Sequence, residues 1–222
     1  WSYSLIKSSA NLAVEKGSCT GSLETKYGQG VTPNQTYKED VDELVKHKER
    51  QDWKGLRKQL AETGIRNSTL MALMPAETSA QISNSTNGIE PPRSYVSIKQ
   101  SKHGVLKQVV PGYPYYKNKY DLLWDQKSPQ GYLKIMAVLQ KYIDQGISVN
   151  TSYNPEHYED EKVPMSVLIQ DILMFYKYGG KQLYYNNTYD GQGEIDIHKE
   201  DKQQEELALS EIDDEDCESC KI

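Results

Sequence analysis

Three cysteines in 222 residues are too few for the disulfide framework of a small secreted protein, so Cys19, Cys217 and Cys220 point to a reducing, cytoplasmic compartment. No apolar run is long enough to span a membrane, and no export signal is expected. The sequons Asn67-Ser68-Thr69 and Asn84-Ser85-Thr86 therefore read as chance. A dense basic patch is also missing, which argues against a nucleic-acid partner. Apolar residues make up only 36% of the chain and the mean hydropathy is −0.77, both low for a compact domain. Part of the chain is expected to be disordered or covered by a partner.

Charge is present but unevenly spread. Residues 190–222 hold thirteen carboxylates against three lysines, a net −10, which leaves about +4 of the total −6 for the preceding residues. That mildly basic body suits a small anionic ligand. The last 33 residues carry no aromatic side chain and predict a flexible acidic tail, so the domain boundary falls between residues 1–189 and 190–222.

The body alternates helical and short extended patterns. Residues 1–14 already read as helix, and with Trp at position 1 the numbering is expected to begin inside a larger unit. Gly17 ends that helix, and residues 27–33 form a Gly-rich loop. Thr36-Tyr37-Lys38-Glu39 is a capping box for a helix carrying Val41, Leu44 and Val45. Asp52 caps a second helix with Trp53, Leu56 and Leu60 on one face and Gly64 as its stop. Residues 68–74 read as a buried strand, residues 76–83 as a short helix, and residues 87–92 as a loop stiffened by Pro91 and Pro92. A β-hairpin is expected from residues 95–99 and 105–110, followed by a short helix over 120–124 and an amphipathic helix over 132–145. Pro164 opens a helix through Tyr178, and residues 182–186 read as a final strand. Short strands between helices of roughly 10–15 residues predict an α/β fold, with too few strands for a complete sheet.

Three places carry chemistry. In Met74-Pro75-Ala76-Glu77-Thr78-Ser79 a strand gives way to a hydroxyl-rich helix start, a geometry that offers backbone N–H groups to a phosphate or carboxylate; the same residues also read as an ordinary helix cap. Tyr184-Tyr185 sets two phenols side by side. On a regular strand they point to opposite faces, and only an irregular strand end lets them stack and pass an electron and proton. Cys217 and Cys220 form a C-x-x-C pair that can carry electrons by disulfide exchange or simply be idle tail thiols. Asp213, Asp214, Glu215, Asp216 and Glu218 surround it, and like charge raises the thiol pKa, unlike a thioredoxin active site. A zinc site lacks ligands, the nearest imidazole being the distant His198. His47, His103, His157 and His198 share no ligand spacing, and Cys19 reads as structural.

Taken together, Arg66-Asn67-Ser68-Thr69-Leu70, Ala72-Leu73-Met74-Pro75 with Glu77-Thr78-Ser79, Gln81-Ile82-Ser83-Asn84 and Asn87-Gly88-Ile89-Glu90-Pro91-Pro92 resemble the large subunit of class I (class Ia-like) ribonucleotide reductase. Val96-Ser97-Ile98-Lys99, Gln108-Val109-Val110-Pro111, Lys162-Val163-Pro164-Met165, Leu183-Tyr184-Tyr185-Asn186-Asn187-Thr188 and Cys217-Glu218-Ser219-Cys220-Lys221-Ile222 extend the likeness over nearly the whole chain. The resemblance implies the last third or so of a subunit built on a ten-stranded α/β barrel, which reduces ribonucleoside diphosphates to deoxyribonucleotides by a radical mechanism.

By the same resemblance Pro75, Ala76, Glu77, Thr78 and Ser79 hold the substrate phosphates. Relatives commonly carry Ser at the position of Ala76, so only backbone contacts are implied there. Tyr185 and then Tyr184 relay a radical from the small subunit to a catalytic cysteine. Cys217 and Cys220, often more widely spaced in relatives, re-reduce the active site and are recharged by thioredoxin or glutaredoxin. The chain itself is expected to bind no cofactor, the diiron-tyrosyl radical belonging to the small subunit. The thiyl-radical cysteine, the two substrate-reducing cysteines and the allosteric sites have no counterpart among these residues, so a separate N-terminal large-subunit polypeptide is expected to supply them. Two other readings stay open: a redox carrier in which only the tail thiols matter, and a non-catalytic regulatory fragment that binds the small subunit.

Overall fold

In this computed structural model of the chain the structure describes residues 1–35, 39–45, 48–76, 78–101 and 104–189. Contacts divide the chain into a compact unit, Trp1–Thr188, and a second unit, Tyr189–Ile222, of which only Tyr189 is described.

Two helices close the N-terminal part of the unit because their apolar side chains recur at helical spacing. In α1 (Ser2–Lys16) Ile6, Ala10 and Ala13 are buried on one face. In α2 (Trp53–Thr63) the buried residues are Trp53, Leu56 and Leu60. Asp52 caps α2 by accepting the Gly55 N–H at 2.8 Å. Gly64 stops it with φ 68°, a left-handed conformation that side chains resist, and its N–H returns to Leu60 O at 2.9 Å. The rings of Tyr3 and Trp53 meet edge to face, centroids 5.2 Å apart, and Tyr27 and Ile65 complete this first core.

A second core lies where helices cover parallel strands. Leu133, Met136 and Ala137 of α5 (Gln130–Gln140) and Phe175 of α6 (Met165–Lys177) pack on Ile147 and Val149. The segment bearing those two residues has a neighbour on each side. Leu73 pairs with Ile147 in parallel, the Gln145 and Ser148 N–H groups donating to Met71 O and Leu73 O at 3.1 and 3.0 Å. Beyond it, β3 (Thr151–Tyr153) pairs in parallel with β4 (Asn186–Thr188), and α6 makes the crossover between them. The antiparallel hairpin of β1 (Val96–Ser101) and β2 (Gly104–Val109) follows the short α3 (Thr78–Ile82). The fold is thus mixed helix and strand, as the α/β expectation required. α6 leaves Met165, Ile169, Leu173 and Tyr176 exposed, an apolar face in a chain already poor in apolar residues.

Several elements differ from their sequence patterns, each for a visible reason. The strand expected over 68–74 pairs only at Leu73, because the Asp144 carboxylate takes the N–H groups of Leu70 (2.7 Å) and Met71 (2.9 Å). The helix expected to reach residue 145 stops at Gln140, whose buried amide donates to Ile143 O and Gln145 O at 2.9 and 2.7 Å and so builds the turn itself. Residues 120–124 give one 3-10 turn, Leu123–Asp125, and the helix expected after the Thr36 capping box is a 3-10 helix, Glu39–Glu43. Thr36, Tyr37 and Lys38 of that box lie outside the described residues. The last strand runs from Asn186 to Thr188, later than the 182–186 pattern. β3 and the four-residue α4 (Tyr113–Tyr116) were not anticipated.

Asp144 fastens the two halves, since it also accepts the Tyr27 hydroxyl at 3.0 Å. Removing it would orphan two backbone donors and a phenol. Asp144→Ala should therefore lower stability by about 2–4 kcal/mol in urea denaturation. Lys58→Ala, which cuts only the exposed 3.9 Å pair with Glu62, should change it by less than about 0.5 kcal/mol.

Candidate functional site

Tyr184 and Tyr185 come together because the last strand begins with a register fault. Tyr184 N donates to Val149 O at 2.7 Å, and Thr151 N donates to Tyr185 O at 2.8 Å. An unbroken parallel ladder would place both bonds on one residue; here two residues face the single Asn150. The alternation of side chains is lost across this bulge, and both rings fall on the same side. Their centroids lie 4.1 Å apart at an interplanar angle of 52°, and Tyr185 Oη donates to Tyr184 Oη at 3.3 Å. Each residue is about half exposed, 52% and 57%. The bulge also strips the Tyr185 N–H of its ladder acceptor, and the side-chain Oδ1 of Asn150 accepts it at 3.1 Å. Asn150 Nδ2 in turn donates to Glu90 Oε1 at 2.5 Å. Tyr132 lies beside this pair, its phenol pKa raised by burial and then by the Glu90 charge.

The Pro75 to Ser79 segment leaves the same end of the sheet. Two residues on from Leu73 comes Pro75, and two on from its partner Ile147 comes Val149, whose carbonyl holds Tyr184. Ala76, Thr78 and Ser79 are exposed and Pro75 is half-buried, while Glu77 lies outside the described residues. The free backbone N–H expected at Ala76 is not free: it donates to Asn87 O at 2.7 Å. The Ser79 N–H is also used, donating to Ala76 O at 3.0 Å in the first turn of α3. The segment is thus tied to the loop containing Asn87 and Glu90, and through Glu90 and Asn150 to Tyr185.

Cys217 and Cys220 lie outside the described residues, as do His47, His103 and His198. Cys19 is a free thiol, partly buried against the first core. His157 Nε2 hydrogen-bonds to Trp124 O at 2.9 Å. Among the described residues no group of three or more His, Cys, Asp or Glu side chains could hold a metal ion, and no helix is long and apolar enough to cross a membrane.

Sequence reasoning passed over Glu90, although it sits in a quoted motif, and over Asn150 and Asp171. Asp171 is fully buried on α6 and accepts from Gln130 Nε2 at 2.8 Å and from the Tyr153 hydroxyl at 3.1 Å. A lone Asp in a helical pattern gives no signal that it faces inward.

Parallel segments joined by a helical crossover, with a hydroxyl-bearing segment and a phenol pair at one end, define an α/β architecture. The profile described as ribonucleotide reductase, barrel domain, matches residues 1–115 and 110–186, and the chain belongs to that family. It is similar to the ribonucleoside-diphosphate reductase subunit alpha of Haemophilus influenzae, 55% identical over 193 residues, covering 87% of this chain and 26% of the relative. The subunit alpha of reductase 1 from Escherichia coli is 49% identical over 222 residues, covering 99% of this chain and 28% of the relative. That of Enterobacteria phage T4 is 42% identical over the same length, again 99% and 28%. The chain spans little more than a quarter of the length of these relatives.

Tyr153 gives a pH test of this buried layer. Its pKa is raised above the ordinary 10.0, by burial first and then by the charge and hydrogen bond of Asp171. The unfolded chain therefore releases this proton first, and the contribution of Tyr153 to stability is full below about pH 10 and falls as pH rises further. Urea midpoints should decline from about pH 10 to about pH 11, and less steeply in Tyr153→Phe.

Proposed function

We propose that this chain is the C-terminal part of a class I ribonucleoside-diphosphate reductase large subunit, in which a ten-stranded α/β barrel reduces ribonucleoside diphosphates to deoxyribonucleoside diphosphates by radical chemistry. The observation that carries the reading is the close, tilted ring pair, Tyr184 and Tyr185, with hydroxyl oxygens 3.3 Å apart. A phenol loses an electron readily only if its proton leaves with it. At this separation a hydrogen can pass from the Tyr184 hydroxyl to an oxidised Tyr185 without rearrangement of the backbone. An oxidising equivalent from the small subunit's diiron-tyrosyl centre would reach Tyr185, then Tyr184, then a cysteine carried by the N-terminal large-subunit polypeptide. This chain's own residues need no metal for that role.

The other assignments follow. Pro75, Ala76, Glu77, Thr78 and Ser79 form the substrate-phosphate segment. The exposed hydroxyl residues Thr78 and Ser79 support this. Ala76 serves by shape rather than by its N–H, which Asn87 already holds. Cys217 and Cys220, in the acidic tail of residues 190–222, form the dithiol that returns electrons to the active site and is recharged by thioredoxin or glutaredoxin. The apolar face of α6 and the three parallel segments support a barrel completed by further polypeptide.

In the assembled reductase, Tyr184→Phe and Tyr185→Phe should each drop turnover to background while nucleoside diphosphate binding stays nearly unchanged, as measured by steady-state assays and equilibrium binding. Turnover retained in Tyr184→Phe would overturn the relay. If turnover then still depended on Cys217 and Cys220, the carrier reading would stand in its place.

A further inference from the structure

We infer that Asn150 and Glu90 are positioning residues for the tyrosine pair: they hold open the bulge that puts both rings on one side of the sheet. The inference rests on the relay reading above and deepens it.

A bulge that inserts one residue leaves one backbone N–H without a ladder partner, and a backbone donor withdrawn from its ladder needs another acceptor. The strand therefore tends to slip back into register unless something else accepts that hydrogen. In-register pairing would restore alternation and turn one of the two rings to the opposite face. The acceptor is Asn150 Oδ1, 3.1 Å from Tyr185 N, on the very residue that the bulge faces.

An amide is the side chain this position requires. It must accept from Tyr185 N–H and donate to the Glu90 carboxylate, and the two demands fix the same orientation of the group. Aspartate could accept but would set a second negative charge against Glu90. Alanine or valine could do neither.

Glu90 is in turn held by its own loop. Asn87 O accepts from Ala76 N at 2.7 Å, Pro91 and Pro92 stiffen the exit, and Pro92 O accepts from Leu123 N at 2.9 Å. The carboxylate is thus presented from a braced segment rather than from a free loop, and Asn150 transmits that placement to the Tyr185 backbone.

The test uses the assembled reductase. Asn150→Asp should lower kcat by about ten- to a hundredfold, since the relay geometry is lost, with the KM for a ribonucleoside diphosphate changed by no more than about twofold. Glu90→Gln should be mild, because its amide oxygen still accepts from Asn150. The double variant Asn150→Asp with Glu90→Gln should recover most of kcat, because the Gln amide now donates to the Asp carboxylate while its other oxygen accepts the Tyr185 N–H.

Hydrogen exchange reads the bond directly, and the Tyr185 amide should exchange about tenfold faster or more in Asn150→Ala. Unchanged exchange at Tyr185, wild-type kcat in Asn150→Asp, or failure of Glu90→Gln to rescue it would each overturn the inference. Those failures are separable from failure of the relay itself, which would show as turnover persisting in Tyr184→Phe.

Discussion

Residues 145–153 are hydrogen-bonded along both edges, to Met71 and Leu73 on one side and to residues 184–188 on the other. In a segment paired along both edges, an irregularity in one neighbour leaves backbone groups that a side chain can satisfy. Both irregularities next to it are handled in that way. Asp144 takes the two N–H groups that the first neighbour withholds from the ladder, and Asn150 takes the one that the last neighbour displaces. Burial then makes the arrangement durable: Ile147 and Val149 are 3% and 0% exposed under α5 and α6, so a slip of one residue would drive them out of the core.

The polar groups within this layer follow the same economy. Gln140 forms its turn with one amide, and Asp171 is satisfied by one phenol and one amide. Each is a buried polar side chain that costs stability if left alone and specifies a single geometry when paired. The site end of the sheet is therefore shaped by short side chains that accept or donate to backbone, whereas the described ion pairs lie elsewhere: Lys58 and Lys177 carry theirs at the surface, and the largely buried Lys141 pairs with Asp42.

What was legible in the sequence divides along the same line. α1, α2 and α6 could be read because spacing, an Asp cap and glycine stops are local signals. β3 could not, since Thr151-Ser152-Tyr153 has no apolar run and its burial comes from α6 and Asp171 above it. The two candidate segments of the body were located by motif, and the need for an irregular strand end at Tyr184-Tyr185 followed from strand alternation alone. The cause of the irregularity did not, because it lies 35 positions away in Asn150, an Asn among other polar residues. Likewise the engagement of the Ala76 N–H depends on Asn87, a partner that no local pattern names.

The two cores also differ in how far along the chain they reach. Every buried residue of the first lies between Ile6 and Ile65, whereas the second draws on Val41 through Phe175, and its sheet is not complete before Thr188. Chain-closure entropy rises with the separation of the partners. On a ribosome the first cluster can mature while the remainder is still being synthesised, and the Tyr27 hydroxyl, which ends on Asp144 117 positions later, must wait with its hydrogen bond to water until that carboxylate arrives.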